Sequence, residues 1–344
     1  MGEDHSLRIR RLPTATAVAL AAATAIAGCS SGGGGTPGTA APPPSPPKAS
    51  QKPPPAKHPF TGLTRGLGGR VLAVKVDNTE AAHPQYGVRN ADLVYVEQVE
   101  GGVTRLMAVF SSKLPNRVGP IRSARISDLH ILRQFGKPAF AYSGAQGKLK
   151  PKIADAPLYD VSQDSGASGY SRTSRDIAPY NLLARPKSLR AQAKKASKPR
   201  DIGLTFAEQA PAGGKDKSKV RVSYARAKFQ FSWSKKRKAW MISQDGGRDM
   251  AAEGGQLGAQ NIVVQWVKTT RSKYHDFLNN YTPLIHTTGE GKAVVLRDGK
   301  AYAARWERED DSDGTKFTQA DGSPMPLHPG RTWVVLAARK PVIP

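Results

Sequence analysis

Cysteine is almost missing from this chain: Cys29 is the only one in 344 residues. A single thiol excludes a disulfide within the chain and any cysteine-based zinc site. Histidine is also sparse, and no pair of the seven has the close spacing of a helical metal site. No metal and no cofactor is therefore expected. Acidic residues are outnumbered, with 27 Asp and Glu against 52 Lys and Arg, for a formal net charge of +25. Such an excess favours polyanionic surroundings through a field screened over about 8 Å at physiological salt. Nucleic acid, anionic lipid headgroups and anionic wall polymers all qualify on charge alone. The familiar enzyme signatures are lacking too. There is no G-x-S-x-G, no H-E-x-x-H and no P-loop, and the S-x-x-K at Ser232 to Lys235 lacks its companion motifs.

Long hydrophobic runs are absent as well. The longest, Thr14 to Ala27, follows Arg8, Arg10 and Arg11 and consists mostly of alanine. It is shorter than the roughly 20 residues that cross a bilayer. It ends in Ile26-Ala27-Gly28-Cys29, which resembles a bacterial lipobox: a signal peptide over 1–28, cleaved before a cysteine that then carries lipid. A lipidated Cys29 anchors the chain to the extracytoplasmic side of the cell membrane and is unavailable as a nucleophile. Residues 29–58 hold glycine and proline but no apolar side chain larger than alanine or proline. Nothing there offsets the entropy of ordering, so this stretch reads as a disordered tether.

Folded sequence starts near Phe60, and an N-terminal α/β domain is expected over 59–209. Val71 to Val76, Leu93 to Val99 and Thr104 to Phe110 read as strands, the last two joined by a hairpin at Gly101-Gly102. Ser127-Asp128 reads as a helix start before Leu129, and Gly136 with Pro138 as its stop. The pattern weakens into loops from Lys148 to Arg185, before a short basic helix at Pro186 to Ala196. Residues 210–219 read as a polar linker. From 220 to 344 the chain is expected to be a smaller β-rich C-terminal domain, with a tight turn at Asp298-Gly299. The fold class is mixed α/β (α+β), the C-terminal half being nearly all strand.

Several segments carry a resemblance to a known family. VDNTEAAHPQYGVRNADLVYVEQVEGGVTRLMAVF, VGPIRSAR, RTSRDIAPYNL, NIVVQWVK, GKAVVLRDGKAYAARWER and PMPLHPGRTWVVL together span most of the chain beyond the tether. They resemble the YerB-like family of bacterial lipoproteins. The resemblance implies an α/β domain followed by a smaller β-rich one, and an envelope location, but no reaction. Tyr180 stands where APHNL-type members have histidine, and His328 stands where asparagine is common in PLNPG.

The candidate site residues fall in the first half. Asp77, Glu97 and Glu100 are the carboxylates that could serve as acid or base. Glu97 and Glu100 sit three apart, on opposite faces of a regular strand, and Glu100 is expected near Thr104 or Arg105 across the hairpin. Arg122, Ser123 and Arg125 precede the helix start, where guanidinium groups and a hydroxyl suit an anion. Arg105 and Asn78 complete the candidate ligand-binding set. Glu309 to Gly314 mimics half an EF-hand loop, but Ala320 holds the position of its bidentate glutamate. Phe229, Phe231, Trp233 and Trp240 flank the basic turn Lys235 to Lys238. That pattern suits either stacking on single-stranded nucleic acid or, better, a solvated hairpin tip over a core face. The expected function is a non-catalytic binding or accessory module of the envelope. Its partners are the membrane through Cys29 and either an anionic wall polymer or an envelope protein, with nucleic acid disfavoured. The alternative is an envelope hydrolase or transferase acting through the carboxylates.

Overall fold

Alternation dictates the central strands. β1 (Leu72–Asp77), β2 (Leu93–Gln98) and β3 (Thr104–Phe110) place Leu72, Val74, Val76, Val94, Val96, Leu106 and Ala108 in one buried cluster. Val71, Ala73, Leu93, Tyr95, Met107 and Val109 join a second cluster on the other face. β3 lies between the other two, antiparallel to both. The β2–β3 connection needs its glycines: Gly101 and Gly102 have φ of 65° and 78°. A Cβ on Gly102 would meet Ala225 at 2.6 Å.

The computed structural model describes residues 55–342 apart from 277. Its main sheet has 11 strands and draws on both halves of the sequence. From one edge the order is Lys316–Thr318, Lys300–Arg308, Gly289–Arg297, Asn261–Trp266, Thr332–Ala337, then β2, β3, β1, β4 (Ala139–Ala141) and β5 (Tyr159–Asp160), with Lys215–Asp216 off this path as the eleventh. The halves meet where β2 pairs in parallel with Thr332–Ala337, from Leu93↔Thr332 to Val96↔Val335. A five-stranded sheet built on Lys219–Ser223, Lys228–Ser234 and Ala239–Gln244 packs its inward residues into the first cluster. A two-stranded arm, Thr269–His275 with Tyr281–Ile285, completes the C-terminal half. The α-helices of the described residues, α1 (Ile126–Arg133) and the short Lys150–Ala154 and Pro186–Gln192, all precede residue 200.

Several local expectations are corrected. α1 starts earlier than Ser127-Asp128 suggests: Arg125 is its N-cap, and Asp128 is the third helical residue, accepting the Arg125 N–H at 2.6 Å. The 210–219 stretch is not purely a linker, since Lys215–Asp216 adds a short strand beside Lys300–Arg308. The loops between Lys148 and Arg185 contain the helix Lys150–Ala154 and a small hairpin, Tyr170–Arg172 with Leu182–Ala184. Gly136, with φ of 78°, follows the end of α1 as expected, and Asp298 and Gly299, at φ of 53° and 76°, make the tight turn.

Candidate functional site

The charged side chains of β1–β3 lie on one face, and the strand register puts them there. Asp77 is opposite Arg105, and Arg105 is opposite Glu97. Opposed residues of antiparallel strands share a face, and Lys75 shares it with Asp77 by the two-residue period. The first turn of α1 contributes Asp128 to the same group. Lys75 Nζ lies 2.5 Å from Asp128 Oδ1 and 3.0 Å from Glu97 Oε1, and all three side chains are essentially sealed from solvent. One ammonium thus faces two carboxylates. Burial, then the neighbouring Asp128, pushes Glu97 up to about 8 against the pull of Lys75. Its Oε2 has no hydrogen-bond partner.

A folded-state value above the ordinary carboxylate value means that folding favours the protonated form. Glu97's contribution is fully present below about 4.5 and is lost as pH rises toward about 8. Glu97→Gln mimics the protonated form. Its stability relative to wild type, followed by urea unfolding, is expected to rise steadily across that window. A difference independent of pH would contradict the raised value.

A second group surrounds Asp77. Arg122 Nε is 2.8 Å from Oδ2 and Arg105 Nη1 is 3.3 Å from Oδ1. The N–H and the hydroxyl of Thr79 both reach Oδ1 at 2.8 Å. Burial, opposed by Asp77, lowers the Arg105 pKa, and Arg122 and Arg125 lower it further. The Arg122 guanidinium also sits 5.6 Å from the centre of the Tyr180 ring.

Glu100 stays close enough to Arg105 to act on its charge, but its bonds go elsewhere. It turns to Arg125, whose Nε lies 2.6 and 2.8 Å from its two oxygens, and it accepts the Thr282 hydroxyl. Burial raises the Glu100 pKa, but the Arg125 contacts outweigh it and hold the group below its usual value. Arg125 Nη1 donates to the Ser123 and Ala124 carbonyls. Asn78 is saturated. It donates to Thr104 and Gln244 and accepts from Gln85, tying the end of β1 to the five-stranded sheet.

Glu100, Ser123 and Arg125 line a cleft of about 430 Å³, together with Gln146, Asp276 and Thr282. Gly144 keeps Ser123 accessible, because a Cβ there would stand 2.9 Å from the Ser123 hydroxyl. Gln146 donates to the His275 carbonyl at 2.5 Å, while its Oε1 is buried without a partner. The cleft therefore offers a hydroxyl and the edge of a guanidinium. Glu97 and Asp77 do not line it. Sequence reasoning missed Lys75, Asp128, Gln146 and Thr282. A lysine on the inward face of an otherwise apolar strand was the available signal for Lys75; the others become neighbours only through the fold.

Comparison with known proteins agrees with this architecture. The profile described as "Protein of unknown function (DUF3048) N-terminal domain" matches residues 60–200, and the corresponding C-terminal domain matches 220–334. "Putative lipoprotein YerB" of Bacillus subtilis (strain 168) is 26% identical over 289 residues, covering 81% of this chain and 85% of that protein. The crystal structure of YerB protein from Bacillus subtilis superposes with a TM-score of 0.70 at 22% identity, covering 83% of this chain and 99% of that one. With both domain profiles matched in order, the chain belongs to the DUF3048 family.

Proposed function

We propose that this protein is a lipid-anchored, extracytoplasmic binding or accessory module of the cell envelope, engaging an anionic ligand or a protein partner without catalysing a reaction. The observation that carries this reading is that each acidic candidate is already bound to a cation: Glu97 to Lys75, Asp77 to Arg105 and Arg122, Glu100 to Arg125. A general acid or base must come within hydrogen-bond reach of its substrate. Glu97 and Asp77 are 1% and 0% exposed. The arginines keep more accessible surface: the side chains of Arg122 and Arg125 are 24% and 20% exposed. Each is oriented by its carboxylate with guanidinium edge to spare, and Ser123 stands between them.

The anchor rests on the lipobox-like segment ending at Cys29 and on the name of the YerB relative. Cys29 and residues 29–54 of the expected tether lie outside the described residues, and the tether ends before His58, which is buried beside Phe60 and Ser111. The rival reading, a hydrolase or transferase, draws support from the raised pKa of Glu97. It would need that sealed side chain to reach a substrate.

The test is capture of partners from crosslinked envelopes. Arg122→Ala leaves Asp77 with Arg105 and Thr79, so a melting temperature within a few degrees of wild type is expected, with loss of the captured partner. Cys29→Ala is expected to move the protein from the membrane to the soluble fraction. Unchanged capture by Arg122→Ala, or a membrane-bound Cys29→Ala, would overturn the corresponding half of the proposal.

A further inference from the structure

A second groove, of about 690 Å³, shares no lining residue with the cleft of Arg125. Its cationic wall comes from four distant segments: the loop around Arg65, the turn after β3 that carries Lys113, the hairpin tip with Arg237 and Lys238, and the turn ending at Arg331. The basic turn conspicuous in the sequence thus forms one wall of a cavity that both halves of the chain complete. Among the described residues, the side chains of Arg65, Lys113, Arg237 and Lys238 have no hydrogen-bond or ion-pair partner.

Arg331 donates to the Arg89 carbonyl. Its pKa is lowered first by burial and then by Arg89, with Arg237 and Arg65 adding to the effect against the pull of Asp92. Crowded cations repel one another unless a counter-charge lies among them. Asp92, the carboxylate that lines the groove, is engaged: it accepts the Ser111 and Ser112 N–H groups at 2.7 and 2.8 Å, and the Ser112 hydroxyl. Glu208 and Asp298, which lie 3.6 and 3.9 Å from His328, do not line the groove.

The lining also decides which anion fits. Guanidinium forks match phosphate oxygens in pairs, and Arg65, Arg237 and Arg331 supply three such forks. Asn90, Gln260 and Ser112 add uncharged polar groups suited to hydroxyls. No Phe, Tyr or Trp lines the groove, because Phe229, Phe231 and Trp240 are buried in the core beneath the hairpin. Without such rings there is no platform on which bases could stack. A concave groove admits a strand rather than a bilayer surface. We propose that this groove binds a polyol-phosphate polymer, its phosphodiesters lying along Arg65, Lys113, Arg237, Lys238 and Arg331.

The experiment uses the full chain carrying Cys29→Ala, so that no lipid anchor contributes. Binding is titrated against poly(glycerol phosphate), inorganic phosphate, oligodeoxythymidylate and phosphatidylglycerol vesicles over a range of salt. The polymer should bind most tightly, with affinity falling linearly in log–log form as salt rises. Arg237→Ala with Lys113→Ala should weaken binding roughly tenfold and lower the salt slope by about 2. Lys235→Ala with Lys236→Ala removes the same amount of charge, from the exposed turn that also holds Arg237, at positions that do not line the groove, and should leave affinity nearly unchanged. Equal losses in the two double variants would reduce the effect to net charge and overturn the proposal. So would tighter binding of the oligonucleotide or the vesicles, or saturation by inorganic phosphate alone. None of these outcomes touches the Arg122 test, so the two sites fail separately.

Discussion

Replacing Lys75 with methionine is expected to destabilise the fold by about 3–5 kcal/mol, the usual result of removing one partner from a buried ion pair. For a folded part of about 290 residues, at about 2.1 cal/mol/K per residue, that corresponds to a drop in melting temperature of roughly 5–8 °C. The reason is local. Lys75 is 0% exposed and is the cation between Glu97 and Asp128. Without it two carboxylates share a dry site, and one must take up a proton or the site must open. Two further observations separate this cause from simple loss of packing. The defect should shrink at acidic pH, where the carboxyl groups become neutral. Adding Glu97→Gln and Asp128→Asn to the methionine variant should recover much of the loss, since neutral replacement of a buried charge cluster is often tolerated. A defect that is the same at every pH, and that the neutral pair does not repair, would mean that the charges are not what Lys75 balances.

The second large effect concerns Arg125, and its asymmetry is the informative part. Arg125→Ala removes the Nε contact from both Glu100 oxygens and leaves a 7% exposed carboxylate with the Thr282 hydroxyl as its remaining side-chain partner. A loss of about 3 kcal/mol is expected, at the low end for a broken interior pair. Glu100→Gln should cost about 1 kcal/mol, because an amide still accepts from Arg125 and Thr282. The double variant should be less damaged than the sum of the two, a coupling that chemical unfolding of all four proteins would show. Strict additivity would place Arg125's contribution in its contacts with the Ser123 and Ala124 carbonyls instead.

Much of the first half could be read from its residues, for a plain reason. In β3 every residue is buried, and a short apolar run bounded by Gly101-Gly102 leaves little choice of element. The start of α1 was misplaced because Ser127 and Asp128 have the composition of a cap, while the position is fixed by the contact of Asp128 with the Arg125 N–H. The arm Thr269–His275 with Tyr281–Ile285 escaped notice. TTRSKYH has no apolar alternation, and Tyr274 is the fully buried residue in that strand. That omission hid one wall of the cleft, because Asp276 and Thr282 come from the arm.

Pairings between distant positions were the least legible. Nothing in the local pattern says that β2 will lie parallel to Thr332–Ala337, which welds the two halves into one sheet. The candidate residues were named from type and spacing. What the fold adds is their assignment to partners: Asp77 with Arg122, Glu100 with Arg125, and Glu97 with a lysine that spacing alone does not single out. The basic turn shows the same limit. Its charge was evident in the sequence, but the opposing wall with Arg65, Lys113 and Arg331 was not.

The central claim is that the carboxylates hold the framework while the arginines beside Ser123 face the partner. Retention on isolated envelopes tests it most directly, using the soluble Cys29→Ala chain with the second groove silenced by Lys113→Ala and Arg237→Ala, on its own, with Glu97→Gln, and with Arg122→Ala. The account predicts that Glu97→Gln is retained like its parent and that Arg122→Ala is lost from the envelopes at a nearly unchanged melting temperature. Altered retention of Glu97→Gln, whether lost or trapped on its target, together with full retention of Arg122→Ala, would contradict it.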